Sequence, residues 1–305
     1  MDFLTIGVLS PFAHVHRQVG IAVISMIMTN TMLFNFLSPI ISKLAELEEI
    51  VGILCFGSYA IDAADNKSDI DLLVLCRPDV PDSLKRLRAI GEISNSENTT
   101  QQNQNDDIWP NEWSKIRDEI RLNGKIVEMS YNRVDWIKGV VDKVKRNSAI
   151  TLEEMPFRPY TLLGLLENSR VLYDPINEVK MLRDSLYPYP PKLKEKLVQR
   201  SLSSCKDSLI DLSDYAERNI GNMAFHFHFQ RYLDSLYTLL FAINDKYDPA
   251  TKNFEEYIGS FHIKPERFRE RYDRALVGPF DRDNKKTIVI ELRAFINEIE
   301  KQIKP

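Results

Sequence analysis

The sequence predicts an α/β (α+β) protein in which a mixed β-sheet with flanking helices is followed by an all-helical C-terminal bundle. Short apolar runs bounded by polar turns, typical of buried strands, are concentrated before residue 150. After about Leu152 the strand signal fades and apolar residues recur at helical spacing. We therefore expect an N-terminal extension over residues 1–33, an α/β domain over 34–150 and a helical domain over 151–305.

Three segments of the front half have the pattern of β-strands. Ile50–Phe56 is one continuous apolar run, as expected of a strand that is buried on both faces. Residues 69–76 open with two acids and continue apolar, and residues 125–131 alternate in character. Helices are predicted at 34–47, 59–64, 83–90, 113–121 and 135–145, and a polar, mobile loop at 95–107.

The back half has the pattern of a helical domain. Residues 170–175 form a short extended segment, and prolines within 188–191 interrupt the chain before the long helices. In the segment 225–244, apolar residues such as Phe225 and Phe229 recur at helical spacing, which predicts a buried helix face. Further helices are predicted at 193–217, 253–258, 266–276 and 286–302.

The composition is that of a globular protein, with 44% apolar and 28% charged residues. The net charge of −4 gives no broad attraction to nucleic acid or to an anionic membrane, so neither is an expected partner. Cys55 and Cys76 lie in apolar runs, which predicts buried, reduced thiols. Reduced thiols favour a cytoplasmic location.

An uncharged stretch at 18–42 is long enough to raise the hypothesis of a membrane anchor. Asn30, Asn35 and Pro39 within it favour a helix packed on the protein instead. Met28 offers a third interpretation, in which the natural start lies downstream of the first residue.

The segment 56–74 has the pattern of a site for a metal ion and a phosphate. Gly57 follows the first strand, and its missing Cβ lets the backbone approach a phosphate closely. Ser58 adds a hydroxyl at the start of a short helix, where free N–H groups attract anions. Asp69 and Asp71 are two apart on a strand, so both carboxylates project from one face. Two such carboxylates repel each other unless a cation lies between them, and Mg²⁺ suits oxygen ligands of this kind.

This pattern resembles the nucleotidyltransferase superfamily that includes DNA polymerase β and kanamycin nucleotidyltransferase. The superfamily combines an apolar-Gly-Gly/Ser turn with a downstream Asp-apolar-Asp/Glu-apolar strand. Here these read Phe56-Gly57-Ser58 and Asp69-Ile70-Asp71-Leu72. The resemblance implies that the two aspartates bind the metal and that Gly57 and Ser58 bind the triphosphate.

The resemblance also implies a third carboxylate on a later strand, and Glu128, between two apolar residues, matches it. Glu128 would be a third metal ligand or the general base, the alternative being an exposed glutamate on an alternating strand. Lys67 and Ser68 precede the two aspartates and are candidates to contact the nucleotide.

The back half is also similar to known proteins. Residues 170–175 followed by helices resemble kanamycin-nucleotidyltransferase-like proteins, and residues 225–247 resemble the helical domain of an uncharacterised group labelled DUF4037. Within this segment Arg231 and Lys246 are candidates to reach the triphosphate or an acidic substrate, a solvated helix face being the alternative.

Together these resemblances imply a Mg²⁺-dependent enzyme that transfers a nucleoside monophosphate from an NTP to a hydroxyl and releases pyrophosphate. AMP from ATP is the expected group, and the acceptor is a small molecule or a protein. Two alternatives remain open: an antitoxin-type protein AMPylase, and a nucleotide-binding regulatory module without catalysis. A homo-oligomer is compatible with the sequence.

Overall fold

A computed structural model describes residues 30–91, 93, 115–152, 155, 157–250, 254–276 and 281–303. The predicted loop at 95–107 and most of the predicted N-terminal extension lie outside these residues. The described residues form ten α-helices, five β-strands and one 3₁₀ turn. Four of the five strands belong to the front half and the long helices mostly to the back half, which confirms the predicted fold class.

The strands form one mixed sheet. They are β1 (Ile50–Phe56), β2 (Ile70–Cys76), β3 (Ile116–Leu122), β4 (Lys125–Arg133) and β5 (Arg170–Tyr173). Their spatial order within the described residues is β3-β4-β2-β1-β5. β2 and β4 run parallel, and the other neighbouring pairs run antiparallel. β5 therefore adds a strand from the second half of the chain to the edge of the front sheet.

The helices follow in chain order. They are α1 (Asn30–Ala45), α2 (Ser83–Gly91), α3 (Val134–Asn147), α4 (Pro159–Asn168), α5 (Glu178–Asp184), α6 (Pro191–Arg218), α7 (Asn222–Ile243), α8 (Phe254–Ile258), α9 (Phe268–Leu276) and α10 (Arg282–Ile303). The 3₁₀ turn (Gly57–Ile61) joins the end of β1 to the loop that leads into β2.

Apolar side chains cover both faces of the sheet. Ile70 and Leu72 of β2 point into a core that includes α1 and part of α2. Leu73 and Leu75 point to the opposite face, where α3, α4 and α5 contribute the core. This two-sided burial explains why the apolar run of β2 is continuous, because neither face is left for polar side chains.

A separate core holds the back half together. It is built by α6, α7 and α10 with the shorter α8 and α9. Phe225, Phe229 and Tyr232 on α7 are buried in it, as the helical spacing predicts. Pro191 lies at the first position of α6, where a proline removes no helical hydrogen bond.

The prediction of a helix at 113–121 is wrong, because residues from Ile116 onward form the strand β3. Asp118 explains why the sequence of β3 lacks the apolar alternation of a strand. Its side chain points inward with Ile116 and Ile120, and it accepts a hydrogen bond from Arg86 Nε at 2.9 Å. A buried acid at an inward position interrupts the apolar alternation from which a strand is predicted.

Two further predictions concern the cysteines and the membrane. The thiols of Cys55, Cys76 and Cys205 are free and buried, as predicted for the first two. Across the described part of the chain, no helix combines the length and apolar character needed to cross a bilayer. α1 contains the part of the uncharged stretch 18–42 that the structure describes.

A close contact joins the helical half to the sheet. A Cβ added to Gly164 on α4 would lie 2.7 Å from the backbone nitrogen of Pro249, so no larger residue fits here without a shift. α4 thereby holds the segment that follows α7 close to the sheet. This segment, with Pro249 and Ala250, covers the end of the sheet at which β1 gives way to the 3₁₀ turn.

Candidate functional site

The carboxylate of Asp71 lies directly against the backbone of Gly57. An ideal Cβ at position 57 would come within 3.0 Å of Asp71 Oδ2, closer than real Cβ atoms approach. Gly57 also has a φ of +70°, a conformation that side chains disfavour. Both observations require glycine at position 57. Because glycine has no side chain, the surface beside the Asp71 carboxylate stays uncovered at this position. Burial, followed by the negative charge of Asp71, raises the pKa of the neighbouring Cys55 thiol to about 12.

The strand register brings the predicted carboxylates to one face of the sheet. Asp71 on β2 is the pairing partner of Phe56 on β1 and of Glu128 on β4. Residues paired across neighbouring strands point to the same side, and the strands lie about 4.8 Å apart. Asp69 immediately precedes β2, two positions before Asp71, and the alternation of β2, if continued by one residue, would direct it to the same face.

Glu128 is bound by a basic residue that the sequence analysis missed. Arg117 Nη2 forms an ion pair with Glu128 Oε2, and both side chains are about one-third exposed. Glu119 on β3 is the pairing partner of Glu128, so Arg117 lies beside two carboxylates. Arg117 belongs to the segment predicted as a helix, and its role becomes visible only when that segment is recognised as a strand on the same face.

A cavity of about 190 Å³ lies beside Asp71, between the sheet and the helical half. Gly57, Ser58 and Asp71 line it from the front, and Asn168, Pro249 and Tyr257 line it from the back. Pockets that enclose a drug-sized ligand measure roughly 300–1,000 Å³. The cavity therefore has room for a part of a nucleotide, such as phosphate groups, rather than for a whole one.

The 3₁₀ turn that carries Gly57 and Ser58 is held by an arginine from β5. Arg170 Nε donates a hydrogen bond to the carbonyl oxygen of Ala60 at 2.9 Å. Its Nη2 lies 2.7 Å from Asp62 Oδ2, at the residue that ends the turn. The sequence analysis predicted only an extended segment here, since nothing local indicates what an arginine 110 residues away along the chain contacts.

Lys67 and Ser68 lie in the loop before β2. The Ser68 hydroxyl donates to Asp65 Oδ1 at 2.8 Å, and the backbone N–H of Lys67 donates to the same oxygen at 2.9 Å. Lys125 Nζ donates to the carbonyl oxygen of Asn66 at 2.9 Å and fixes the loop to β4. The hydroxyl of Ser68 thus shapes the loop, and the Lys67 side chain is exposed. The cavity beside Asp71 is lined by neither of them.

The donor atoms on this face suit a hard divalent cation. Within the described residues, no three His, Cys, Asp or Glu side chains are grouped closely enough to hold a metal ion. Mg²⁺, however, is usually bound by one or two carboxylates, together with waters and substrate phosphates. Asp71 with Asp69 meets that requirement, and the space beside Gly57 is where phosphate oxygens could approach. The residues present therefore fit Mg²⁺ without a complete protein cage.

Two segments of the chain match family models. Residues 37–142 match the family model described as a nucleotidyltransferase domain, and residues 157–253 match a domain of unknown function, DUF4037. Among solved structures, the chain is similar to a nucleotidyltransferase-like protein from Exiguobacterium sibiricum, with 13% identity and a TM-score of 0.41. That likeness covers 88% of this chain and 77% of the other. No curated protein matches the sequence.

The first family model spans β1, the 3₁₀ turn, β2 and β4, which together carry Gly57, Asp71 and Glu128. The second spans α4 to α7 and includes Asn168 and Pro249, which line the cavity from the back. Both resemblances drawn from the sequence are thereby confirmed. Residues 37–142 therefore match the nucleotidyltransferase domain family, and residues 157–253 match the domain of unknown function DUF4037.

Proposed function

We propose that the protein is a Mg²⁺-dependent enzyme that transfers AMP from ATP to a hydroxyl acceptor and releases pyrophosphate. The observation that carries this proposal is the Asp71 carboxylate, which lies against Gly57 and faces a cavity that Ser58 also lines. A nucleotidyltransferase domain supports nucleoside monophosphate transfer in general. The identities of the transferred group (AMP), the metal ion (Mg²⁺) and the acceptor (a hydroxyl) are part of our proposal and do not follow from the family match.

Asp69 and Asp71 would hold the metal ion. When bound, Mg²⁺ neutralises charge on the triphosphate and orients the transferring phosphoryl group. Gly57 would let the backbone approach the outer phosphates, and the Ser58 hydroxyl would donate a hydrogen bond to them. Lys67 is exposed beside Asp69 and is proposed to contact the same phosphates, while Ser68 shapes the loop that presents it.

The proposed reaction is balanced without a further reactant. The acceptor oxygen forms a bond to the α-phosphorus, the bond from that phosphorus to the bridging oxygen breaks, and its electron pair leaves with pyrophosphate. The hydroxyl proton passes to a base. Glu128, next to Asp71 in the sheet, is proposed either to accept that proton or to complete the metal site.

A second function is favoured by one observation. Arg117 binds Glu128, so the third carboxylate is neutralised as the structure stands. A regulatory module that binds a nucleotide without turnover would tolerate such a pair, whereas an enzyme that uses Glu128 must release it. An antitoxin-type protein AMPylase differs from the main proposal only in its acceptor, which would be a protein hydroxyl.

Incubation with Mg²⁺ and each of four labelled NTPs, with and without an acceptor panel of small molecules and proteins, tests the proposal. We expect pyrophosphate release or labelled acceptor for the wild type and its loss in Asp71→Asn. Asp142→Asn, at an exposed position on α3, is the matched control and should retain activity. Tight nucleotide binding without any turnover across the whole panel would support the regulatory module instead.

A further inference from the structure

A polar cavity of about 450 Å³ lies in the helical half, between α6 and α7, and has no role in the site described above. Its volume is within the range of roughly 300–1,000 Å³ that accommodates small-molecule ligands. Serine hydroxyls contribute much of its wall, and three arginines and two aspartates also line it. Such a lining suits a hydroxylated or charged ligand better than an apolar one.

This cavity and the small cavity beside Asp71 each share lining residues with one further cavity. A second cavity, of about 420 Å³, shares Arg158 and Asp234 with the first. At its other end it shares Ala250 with the small cavity beside Asp71. We call the two larger cavities together the Arg158 trough. One end of the trough therefore adjoins the small cavity beside Asp71, and its other end lies along α7.

A network of hydrogen bonds and ion pairs around Arg158 lies where the two larger cavities share lining residues. Arg158 forms an ion pair with Asp234 and donates a hydrogen bond to Thr238 Oγ1 at 2.7 Å. Asp248 Oδ2 lies 3.9 Å from the same guanidinium, and its Oδ1 accepts the N–H of Ala250 at 3.0 Å. The charge of Arg158 is therefore already compensated by protein groups, and this arginine is not available to neutralise a ligand.

The far end of the trough is different. Arg200 on α6 and Arg231 on α7 line the same cavity from two helices. Within the described residues, neither guanidinium makes an ion pair or a side-chain hydrogen bond. Asp207 is the remaining acid of this lining, so the far end carries an excess of positive charge. Two exposed arginines that line one cavity from two helices suit a phosphate or carboxylate group.

We propose that the Arg158 trough binds the acceptor of the transfer reaction, and that this acceptor is a hydroxylated molecule with an anionic group bound by Arg200 and Arg231. The assignment as acceptor rests on the proposed function, because it requires the reacting hydroxyl to lie at the Asp71 end. The serine hydroxyls between the two ends would bind polar groups along the molecule. The anionic group is a phosphate or a carboxylate.

Calorimetric titration of the full chain, without nucleotide or divalent metal, tests the anionic end. The probes are inorganic phosphate, glucose 6-phosphate, glucuronate and glucose. The test variant is Arg200→Gln with Arg231→Gln. The matched control is Arg218→Gln with Arg274→Gln, which removes two exposed arginines of the same half that pair with acids on their own helices.

We expect an anionic probe to bind the wild type and the control variant, with affinity at least about tenfold weaker in the test variant. Glucose 6-phosphate and glucuronate distinguish a phosphate from a carboxylate. The proposal is overturned if no anionic probe binds, if glucose binds as tightly as its charged relatives, or if both double variants weaken binding equally.

A separate titration with α,β-methylene ATP and Mg²⁺ tests the proposed function independently. Binding of this analogue should be lost in Asp71→Asn and retained when Arg200 and Arg231 are replaced. If Asp71→Asn leaves binding of the analogue unchanged, the proposed function fails and the trough loses its assignment as an acceptor site. If the analogue behaves as expected and the anionic probes do not bind, only the acceptor proposal fails.

Discussion

Asp71 and Gly57 are so close that the carboxylate occupies the space in which a side chain at position 57 would begin. The two residues lie 14 positions apart and are brought together by the antiparallel pairing of β1 with β2. The glycine therefore has a second role besides the turn, since it determines where the carboxylate can lie. This relationship gives the sharpest test of the candidate site.

Gly57→Ala should displace the Asp71 carboxylate and lower transfer activity by roughly 100-fold, because misplacement by about 1 Å can have an effect of that size. The unfolding free energy should fall by only about 1–2 kcal/mol, the usual penalty of a left-handed residue. Activity and urea unfolding measure the two effects separately.

Gly124→Ala is the matched control for this change. Gly124 has a φ of +84° and no atom within 4 Å of an added Cβ. The same strain without the collision should lower stability similarly and leave activity unchanged. Equal losses of activity in both variants would show that strain, and not the contact with Asp71, is responsible.

Arg117→Gln should raise the affinity for Mn²⁺, used as a spectroscopic probe of the Mg²⁺ site, by about two- to fivefold. With Glu128 in its proposed role as a metal ligand, Arg117 and the metal would compete for it, and a partly exposed ion pair is worth at most about 1 kcal/mol. Arg121→Gln, on the same face of β3, is the control and should change nothing. A weaker affinity in Arg117→Gln would indicate that the arginine positions Glu128 for the metal.

Asp118→Asn should destabilise the protein by about 3–5 kcal/mol, because it leaves the fully buried Arg86 without its counter-charge. Asp273→Asn breaks an exposed pair with Arg269 and should change the unfolding free energy by less than about 0.5 kcal/mol. Urea unfolding of the three proteins measures the difference. Similar values for both variants would mean that water reaches the Arg86 guanidinium.

Asp248→Asn should change how stability depends on pH. Burial raises the pKa of Asp248 above its ordinary value of 3.8, although Arg158 opposes the shift. The folded state thus keeps this proton to higher pH than the unfolded state. The contribution of Asp248 to stability should fall as pH rises from 3.8 through the raised pKa.

The measurement is the unfolding free energy of wild type minus Asp248→Asn from pH 4 to 7, with the exposed Asp245→Asn as the reference substitution. The asparagine can still accept the N–H of Ala250, so that hydrogen bond is retained. We expect the difference to decrease with pH and then become constant. A difference that increases with pH would show that attraction to Arg158 outweighs burial.

The order of apolar and polar residues within a segment was sufficient to predict the strands and helices whose apolar residues recur at regular spacing. The apolar runs of β1 and β2 and the helical stripe of α7 were found where they were expected. β3 was missed because Asp118 interrupts its apolar face. The burial of this acid is explained by its ion pair with Arg86, which lies 32 residues away along the chain. Spacing within a segment contains no information about such a partner.

Some residues of the candidate site could likewise be predicted from the sequence, and others could not. Gly57, Ser58, Asp69 and Asp71 lie within one short segment, so their order along the chain was enough to single them out. Arg117 and Arg170 act on this segment from other strands, through contacts that depend on sheet order. The trough along α7 depends on how two long helices pack, and the sequence indicated only that Arg231 was a candidate to reach the triphosphate or an acidic substrate.

The position of β5 has a practical consequence for anyone who wishes to divide this protein. A fragment that stops near residue 150 would leave the backbone of β1 without one of its two hydrogen-bonding neighbours, and an uncovered strand edge promotes association between copies. It would also lack Arg170, whose guanidinium donates a hydrogen bond to the 3₁₀ turn that contains Gly57. Truncation experiments on the catalytic half should therefore keep the chain at least through Tyr173.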